Sequence, residues 1–279
     1  MFEFIESNES TLRLGFFLGI LVLMALWETL SPRRPVKVSR ARHWLNNLSL
    51  VVLNTLILRL VFPAAAVGVA VVSQANGWGL LNLLDWPLVY KVILSVVLLD
   101  FIIWLQHVMV HAIPVLWRLH RVHHADPDYD TTTGLRFHPL EILFSMLIKF
   151  SAIVLMGPPV VAVILFEVIL NGMAMFNHGN VSLPARLDRW LRFLLVTPDM
   201  HRVHHSVEDH ETNSNFGFNL SVWDRLFGTY IDQPRLGHDE MQIGIRGFDK
   251  DEDIVNLVGL LKLPFKGKIT DYVINRRNF

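Results

Sequence analysis

Apolar residues form four long runs in the first two thirds of the chain, and a polar, mixed segment follows residue 177. The runs cover residues 14–30, 44–72, 88–106 and 142–176 of the 279 residues. Residues 44–106 carry four charged side chains, and residues 142–176 carry two. Runs this long and this poor in charge are typical of membrane spans rather than of a soluble core. The pattern therefore predicts an all-α, integral membrane helical bundle with a helical, histidine-rich cap.

Two breaks in the runs shape the predicted bundle. Pro63 interrupts the second run and is expected to kink or end a helix there. The sequence Gly157-Pro158-Pro159 divides the fourth run into halves that are each short for a full crossing. We therefore predict about three spans plus a re-entrant or short helical hairpin that returns the chain to the same face. The first run is interpreted as a retained span, since acidic residues precede it and Ser-Pro-Arg-Arg follows it.

The loops predict the orientation and the domain boundaries. Residues 31–43 carry five lysines and arginines and no acid, which favours the cytoplasmic face. Residues 73–87 carry no lysine or arginine, which favours the opposite face. The histidine motifs and the C-terminus are then expected on the cytoplasmic side. We divide the chain into N-terminal membrane spans (1–106), a histidine-box catalytic domain that includes the hairpin 142–176 (107–235), and a C-terminal cytoplasmic tail (236–279).

Composition excludes several classes of function. The formal net charge is zero, so the basic bias of a nucleic-acid-binding protein is absent. The chain has no cysteine, which excludes disulfides, thiolate zinc sites, cysteine-ligated iron–sulfur clusters and cysteine nucleophiles. It has 13 histidines, and eleven of them lie between residues 107 and 210.

The spacing of these histidines is typical of a metal centre. His107 and His111 stand four residues apart at the end of the third run, and the pentapeptide His-Arg-Val-His-His occurs at 120–124 and at 201–205. Residues three and four apart share one face of a helix, so each pentapeptide offers several imidazoles together. The pair His107 and His111 supplies two ligands, and each pentapeptide supplies three. Together with one extra donor, these are enough for two metal ions. Imidazole suits zinc, copper, iron and nickel, so the ligand type alone leaves the metal open.

The order of these motifs resembles the fatty acid hydroxylase/sterol desaturase superfamily over roughly residues 90–235. The resemblance includes the hairpin, Phe-Asn-His-Gly-Asn around His178, Asn-Phe-Gly at 215–217 and Trp-Asp-Arg-Leu-Phe-Gly-Thr-Tyr at 223–230. It implies a membrane oxidoreductase with a histidine-ligated di-iron centre that uses dioxygen and two electrons to hydroxylate or desaturate a lipid. The ligands that it implies are His107, His111, His120, His123, His124, His178, His201, His204 and His205.

The other histidines are assigned by position. His138 and His210 are left open among metal ligands, donors that support a ligand, and surface residues. His43 and His238 lie outside every motif and are expected to be solvated.

Charged residues inside the runs are candidates for support of the metal centre. Asp100 lies seven residues before His107 and is expected to accept the second N–H of a ligand imidazole, with a hydrogen bond between helices unrelated to the metal as the alternative. Glu167 is expected to orient His178 or to line the cavity. Lys149 is expected to reach the lipid headgroups. The Trp-Asp-Arg segment at 223–225 is interpreted as an Asp–Arg pair that holds the cap against the ligand helices.

The resulting hypothesis is a di-iron oxygenase acting on a sterol, fatty acyl chain or ether lipid that enters from the bilayer. The sequence contains neither GxGxxG nor CxxCH, so a separate electron donor is expected: a reductase, a ferredoxin or a cytochrome. In one branch of the superfamily the reductant is a reduced pterin. Two alternatives are a zinc-dependent membrane hydrolase, although HExxH is absent, and a metal-transporting membrane protein.

Overall fold

The computed structural model describes residues 2–248 and 254–267, and these residues form an all-α membrane protein. The first eight helices are α1 (Phe2–Ser7), α2 (Glu9–Leu30), α3 (Arg40–Val61), α4 (Ala65–Ala75), α5 (Leu88–Ala112), α6 (Pro114–His124), α7 (Pro139–Met156) and α8 (Val160–Asn177), and all but α1 have 11 or more residues. Short helices follow: α9 (Ala185–Leu191), α10 (Pro198–His204), α11 (Asp209–Thr212), α12 (Val222–Leu226), α13 (Gly237–Glu240) and α14 (Leu257–Lys262). Single 3₁₀ turns occupy Leu80–Asn82, Thr133–Leu135 and Leu263–Phe265.

Five helical segments of the described chain are long and apolar enough to cross a membrane. They are Glu9–Leu30, Arg40–Ala75, Leu88–Ala112, Pro139–Met156 and Val160–Asn177. The first three are the spans that the hydrophobic pattern predicts. The last two are the arms of the predicted hairpin. Each arm has 18 residues and is about 27 Å long at 1.5 Å per residue, so the arms are longer than the sequence suggested.

The second apolar run breaks where Pro63 predicts. Helix α3 ends at Val61, and α4 begins at Ala65 after a turn in which the ring of Phe62 meets Phe150 of α7 edge-on at 5.1 Å. Helix α4 then packs against α7 and α8, with Ala66 and Ala70 buried beside Ile153 and Val163. The run therefore forms one long helix and a short one that closes the far end of the hairpin.

The hairpin turn requires glycine. Gly157 ends α7 in the left-handed region, with φ of 64°, and its backbone lies against Gly79 in the loop after α4. A side chain at either position would collide with the backbone of the other segment. This close contact joins the two loops at the end of the bundle opposite the histidines.

The remaining short elements form a cap at the other end of the bundle. Helices α7 and α8 run antiparallel, so the start of α7 and the end of α8 both reach this cap, together with α6 and α10. A buried apolar cluster ties α14 to the cap. It contains Leu50 of α3, Trp117 and Val122 of α6, and Leu260 of α14. The cap is therefore fixed to the membrane helices from several directions.

Candidate metal centre

Nine buried histidines converge inside the cap in two adjacent sets. Set A is His107, His111, His120, His124 and His204, and set B is His123, His178, His201 and His205. Within each set the ligating nitrogens all lie within 4.8 Å of one another. These are the nine histidines that the sequence motifs single out, and the fold brings all of them together.

The two pentapeptides divide their histidines between the sets. His120 and His124, four residues apart on α6, join set A, whereas His123 joins set B. In the second pentapeptide the division is reversed, because His201 and His205 join set B and His204 joins set A. The rings of His123 and His124 are 5.4 Å apart and mutually perpendicular at 90°. Each pentapeptide therefore contributes to both sets instead of serving one.

The outer nitrogen of most of these rings is held by a carbonyl or a carboxylate. His107 Nδ1 lies 2.8 Å from the Phe216 carbonyl oxygen, and His120 Nδ1 lies 2.6 Å from Glu141 Oε1. The other Nδ1 contacts are His111 with Asn213 Oδ1, His123 with Thr133 O, His178 with Ala174 O and His204 with Ser214 O. Because carbonyl and carboxylate oxygens only accept, each Nδ1 carries the proton and donates it outward.

The inner nitrogens meet with their lone pairs facing one another. Nε2 of His107 lies 3.1 Å from Nε2 of His120, and Nε2 of His111 lies 3.1 Å from Nε2 of His124. In set B, Nε2 of His178 lies 3.2 Å from that of His123 and 3.0 Å from that of His201. In the pairs His107–His120 and His178–His123 both rings donate from Nδ1 and have no proton on Nε2, so these two pairs are not hydrogen bonds. Buried lone pairs that face each other fit a cation bound between them.

The cap keeps these imidazoles neutral and ready to bind metal. Burial lowers the pKa of six set members outside the membrane helices, and neighbouring imidazoles lower it further for most of them. The pKa falls well below 6.5 for His123, His124, His201, His204 and His205, and to about 4 for His178. Neutral imidazole is the form that ligates metal, so no proton has to be displaced at neutral pH.

Comparison with known proteins agrees with this geometry. A family model described as fatty acid hydroxylase matches residues 92–229, which contain all nine histidines. The chain belongs to the fatty acid hydroxylase superfamily. No solved structure matches the chain significantly.

Curated relatives in this superfamily act on lipids by name. The chain is 31% identical over 163 residues to the ornithine lipid hydroxylase OlsE of Rhizobium tropici, which covers 58% of this chain and 48% of that protein. It is 31% identical over 137 residues to the alkylglycerol monooxygenase of Homo sapiens, covering 47% of this chain and 28% of that protein. It is 28% identical over 145 residues to a cholesterol 25-hydroxylase-like protein of Danio rerio, covering 50% and 55%. The match therefore spans about half or less of two of these relatives and just over half of the third.

Glu141 lies beside the nine histidines and is a residue that the sequence patterns do not reveal. It lies in the first turn of α7, is 4% exposed, and holds Nδ1 of His120. Its position three residues after His138, in Phe-His-Pro-Leu-Glu, carries no spacing that connects it with His120. The contact forms because α7 packs against α6. A carboxylate at this position fixes the tautomer and strengthens the ring as a ligand.

Asp100 supports the centre in a different way from the one predicted. It accepts the indole N–H of Trp223 at 2.8 Å and the backbone N–H groups of Asn219 and Leu220 at 3.3 Å, and the structure gives it no hydrogen bond to a ligand imidazole. Seven residues before His107 is two helical turns, which leaves Asp100 below the rings. Asp100, which lies on α5, therefore anchors the segment 219–223 that follows the second pentapeptide.

Asp224 holds the same loop, and the predicted Asp–Arg pair is wrong. Asp224 accepts the backbone N–H groups of Phe216 and Gly217 at 2.8 Å and the indole N–H of Trp104 on α5 at 3.0 Å. The guanidinium of Arg225 points elsewhere, to the carbonyl of Arg192 and the ring of Tyr230. The loop 216–217 is thus fixed to α5, and the Phe216 carbonyl is held where His107 needs it.

The histidines outside the two sets occupy varied positions. His43 and His238 are 1% and 6% exposed, so the expectation that they are solvated is wrong. His43 lies between Asp126 and Asp130, at 2.7 and 3.1 Å, because α3 packs beside the loop after α6. His138 caps the start of α7 by accepting the Leu140 N–H, and His210 is exposed. Neither His138 nor His210 belongs to set A or set B.

A cavity of about 360 Å³ leads from set A into the membrane part of the bundle. His107, His120 and Glu141 line one end, and side chains of α2, α3, α5, α7 and α8 form its walls. Glu167 lines the cavity, which is one of the two roles predicted for it. It does not orient His178, because Nδ1 of His178 donates to the Ala174 carbonyl oxygen. Lys149 also faces the cavity and contacts Glu167 at 2.8 Å, so the expectation that it reaches the lipid headgroups is wrong.

Proposed function

We propose that this protein is a membrane-bound di-iron monooxygenase that hydroxylates a lipid. Hydroxylation inserts one oxygen atom of dioxygen into a C–H bond, and the other leaves as water after taking up two electrons and two protons. The observation that carries the proposal is the pair of adjacent imidazole sets, with inner lone pairs facing each other, at the end of a cavity in the membrane bundle. The hydroxylases and monooxygenase among the relatives favour this reaction over desaturation.

The side chains around the centre would hold two ions at fixed positions. Set A offers five imidazoles and set B offers four. The carbonyls and the carboxylate that accept the Nδ1 protons keep each ring in one tautomer and one orientation. When bound, the iron pair supplies the activation of dioxygen that oxidation of a C–H bond needs.

The cavity would present the substrate and exclude water. Apolar side chains such as Ile103, Leu135 and Phe218 line it next to the polar end at His107 and His120. A lipid chain in this cavity would place one carbon beside set A while its neighbours stay in apolar contact. Fixed placement of the reacting carbon supplies much of the rate of such a reaction.

The basic loop supports a cytoplasmic position for the cap. Residues 31–43 lie against it, with the backbone N–H of Arg34 bonded to Asn180 at 3.0 Å and that of Lys37 bonded to Asp128 at 2.6 Å. Since positively charged loops stay in the cytoplasm, the metal centre would face the cytoplasm and its reductants. We propose a separate reductase, ferredoxin or cytochrome as the electron donor, with a reduced pterin as the other candidate.

Metal analysis and product analysis of the purified full chain test this proposal together. We expect about two irons per chain and a lipid product that carries one atom from ¹⁸O₂. His204→Ala is expected to lower bound iron and to reduce product formation by about 100-fold or more, since even outer partners of ligands cost 10- to 100-fold.

The matched control is His210→Ala, because His210 is exposed and lies in neither set. It should retain both iron and activity. Stoichiometric zinc with hydrolase activity, metal flux into vesicles, or equal tolerance of the two substitutions would overturn the proposal.

A further inference from the structure

The end of the cavity remote from the histidines is charged. Arg13 of α2, Lys149 of α7 and Glu167 of α8 all line it. Lys149 Nζ lies 2.8 Å from Oε1 of Glu167, and Arg13 Nη2 lies 3.0 Å from Oε2. The side chains of Glu167 and Lys149 are 6% and 12% exposed. We call these three residues the ionic floor of the cavity.

The ionic floor lies deep in the bundle. Lys149 is ten residues from the cap end of α7, and Glu167 is ten residues from the cap end of α8. At 1.5 Å per residue each is about 15 Å from the cap, near the middle of about 30 Å of hydrocarbon. Charged groups at this depth are costly and are typical of sites that bind a substrate or an ion. Apolar contacts between the helices would pack the bundle at lower cost.

The hydrogen-bonding capacity left on the ionic floor is mainly that of a donor. Oε1 of Glu167 accepts a hydrogen bond from Lys149, whereas Oε2 is ion-paired with Arg13 without a hydrogen bond in the described part of the chain. An ammonium group has three N–H donors and a guanidinium has five. Among the described residues Lys149 uses one donor on Glu167 and Arg13 uses one nitrogen on Glu9, while Nη2 of Arg13 is held near Glu167 by charge alone. The charged groups that line this end comprise two cations and one anion, so they favour a ligand that accepts hydrogen bonds.

The bilayer has a route to this cavity. Helix α2 packs on α8 and α3 packs on α7, but α2 and α3 are not packed together along their length. Their link is at the cap end, where Arg40 bonds Thr29 at 2.6 Å. Phe17 of α2 and Thr55 of α3 both line the cavity. A lipid can therefore enter between α2 and α3 without unfolding any helix.

We propose that Arg13 and Lys149 bind an oxygen acceptor group on the substrate and so select which lipids are oxidised. Glu141, which contacts set A, and Lys149 are eight residues apart on α7, which is about 12 Å. The selected substrate is an amphiphile whose oxygen acceptor lies about that far from the reacting carbon. The reaction assumed in this inference rests on the proposed function. The binding site does not depend on it. A plain hydrocarbon tail would cover the charged groups of the ionic floor without offering them a hydrogen-bond acceptor. Its binding is therefore disfavoured.

Binding of simple twelve-carbon probes to the metal-free full chain in nanodiscs tests the site without any turnover. The probes are dodecanol, dodecanoate, dodecylamine and dodecane, each measured against empty nanodiscs. We expect dodecanol and dodecanoate to bind at least tenfold more tightly than dodecane and dodecylamine. Equal binding of all four by the unaltered protein would show that the ionic floor only joins helices and would overturn the proposal.

Three substitutions locate the selectivity. Lys149→Met should remove the preference for oxygen-bearing probes, and Lys149→Arg should restore it. Glu167→Gln should keep or strengthen the preference, because it releases donors of Lys149 and Arg13. The control is Lys91→Met on α5, since Lys91 does not line the cavity. Tighter binding of dodecylamine, with loss of binding in Glu167→Gln, would assign the site to a cation and overturn the proposal.

Failure of this proposal is distinguishable from failure of the proposed function. If iron and ¹⁸O-labelled product are found but probe binding ignores Lys149, the ionic floor is structural and the oxygenase assignment stands. If binding depends on Lys149 but no oxygen-dependent product forms, the binding site stands and the oxygenase assignment fails.

Discussion

The nine-histidine centre and the site around His43 are built from the same side chain at the same depth of burial, but their neighbours differ. The rings of sets A and B face one another, and six of the nine donate outward from Nδ1, five of them to neutral carbonyl oxygens. Both nitrogens of His43 instead contact carboxylates, Asp126 at 2.7 Å and Asp130 at 3.1 Å. A ring that donates from both nitrogens is an imidazolium.

The partners, rather than the burial, decide the charge at these two sites. In the sets, burial lowers the pKa of histidines such as His124 and His205, and the imidazoles around them lower it further. At Asp126 burial would raise the pKa, but the positive charges of His43 and Arg136 outweigh it, and the pKa lies below its usual range. One site therefore suits a metal ion, and the other is a closed ion pair.

Removal of one ring should have its largest effect on folding at the His43 site. His43→Ala leaves Asp126 and Asp130 buried without their shared cation, and a buried charge that loses its partner costs about 3–5 kcal/mol. We expect this loss in the free energy of unfolding of the metal-free protein, measured by denaturant titration in detergent.

The matched change in set A is His124→Ala, also at a fully buried ring. It removes a neutral imidazole from a crowded group, so the metal-free protein should lose clearly less stability, while iron binding should fall. Equal destabilisation by the two substitutions would contradict the assigned difference in charge.

The next largest expected effect is the pH at which each of the two sites loses stability. The six set histidines whose pKa is lowered bind protons more weakly in the folded than in the unfolded state, so the folded state loses stability as pH falls below 6.5. Each contributes about 1.4 kcal/mol per pH unit in that window, down to its own folded pKa. For His178 that limit is about pH 4.

The pH dependence of the Asp126 site has the same sign but a different window. A carboxylate whose pKa is lowered on folding stabilises the protein above its unfolded value of 3.8, and this contribution is lost only as pH falls below that value. Metal-free protein should therefore lose stability between about pH 6.5 and 5, and bound metal should protect it by competing with protons. Stability curves with and without metal that coincide over this range would refute the assignment of the histidines as ligands.

Much of the fold and most of the centre are predictable from the sequence, because both rest on local periodicity. The apolar runs locate the spans, and Gly157-Pro158-Pro159 locates the hairpin turn. The division of each pentapeptide between two sets also has a local signal in the sequence. Adjacent residues in a helix point about 100° apart, so the doubled His-His at 123–124 is suited to two ions rather than one.

Spacing along the sequence does not predict contacts between distant segments. Glu141 meets His120 across 21 residues, and His43 meets Asp126 across 83. Periodicity assigns residues to a face of their own helix but gives no information about which other helix covers that face. Asp100 shows the same limit, since it shares a face with His107 but lies two turns deeper, where the loop 219–223 covers it.

The smallest expected effect belongs to His138, which tests whether a histidine near the centre but outside both sets is only structural. Its Nδ1 accepts the Leu140 N–H at 3.2 Å and caps the start of α7, the helix that carries Glu141. Loss of a helix cap costs about 1 kcal/mol, so His138→Ala should lower the free energy of unfolding by about that amount. His138→Asn keeps an acceptor at the cap and should recover most of it. Bound iron, measured by elemental analysis, should be unchanged in both variants, since the Glu141 contact with His120 does not depend on the His138 ring. A drop in iron that asparagine fails to reverse would place His138 among the ligands and remove the boundary drawn here between the two sets and the remaining histidines.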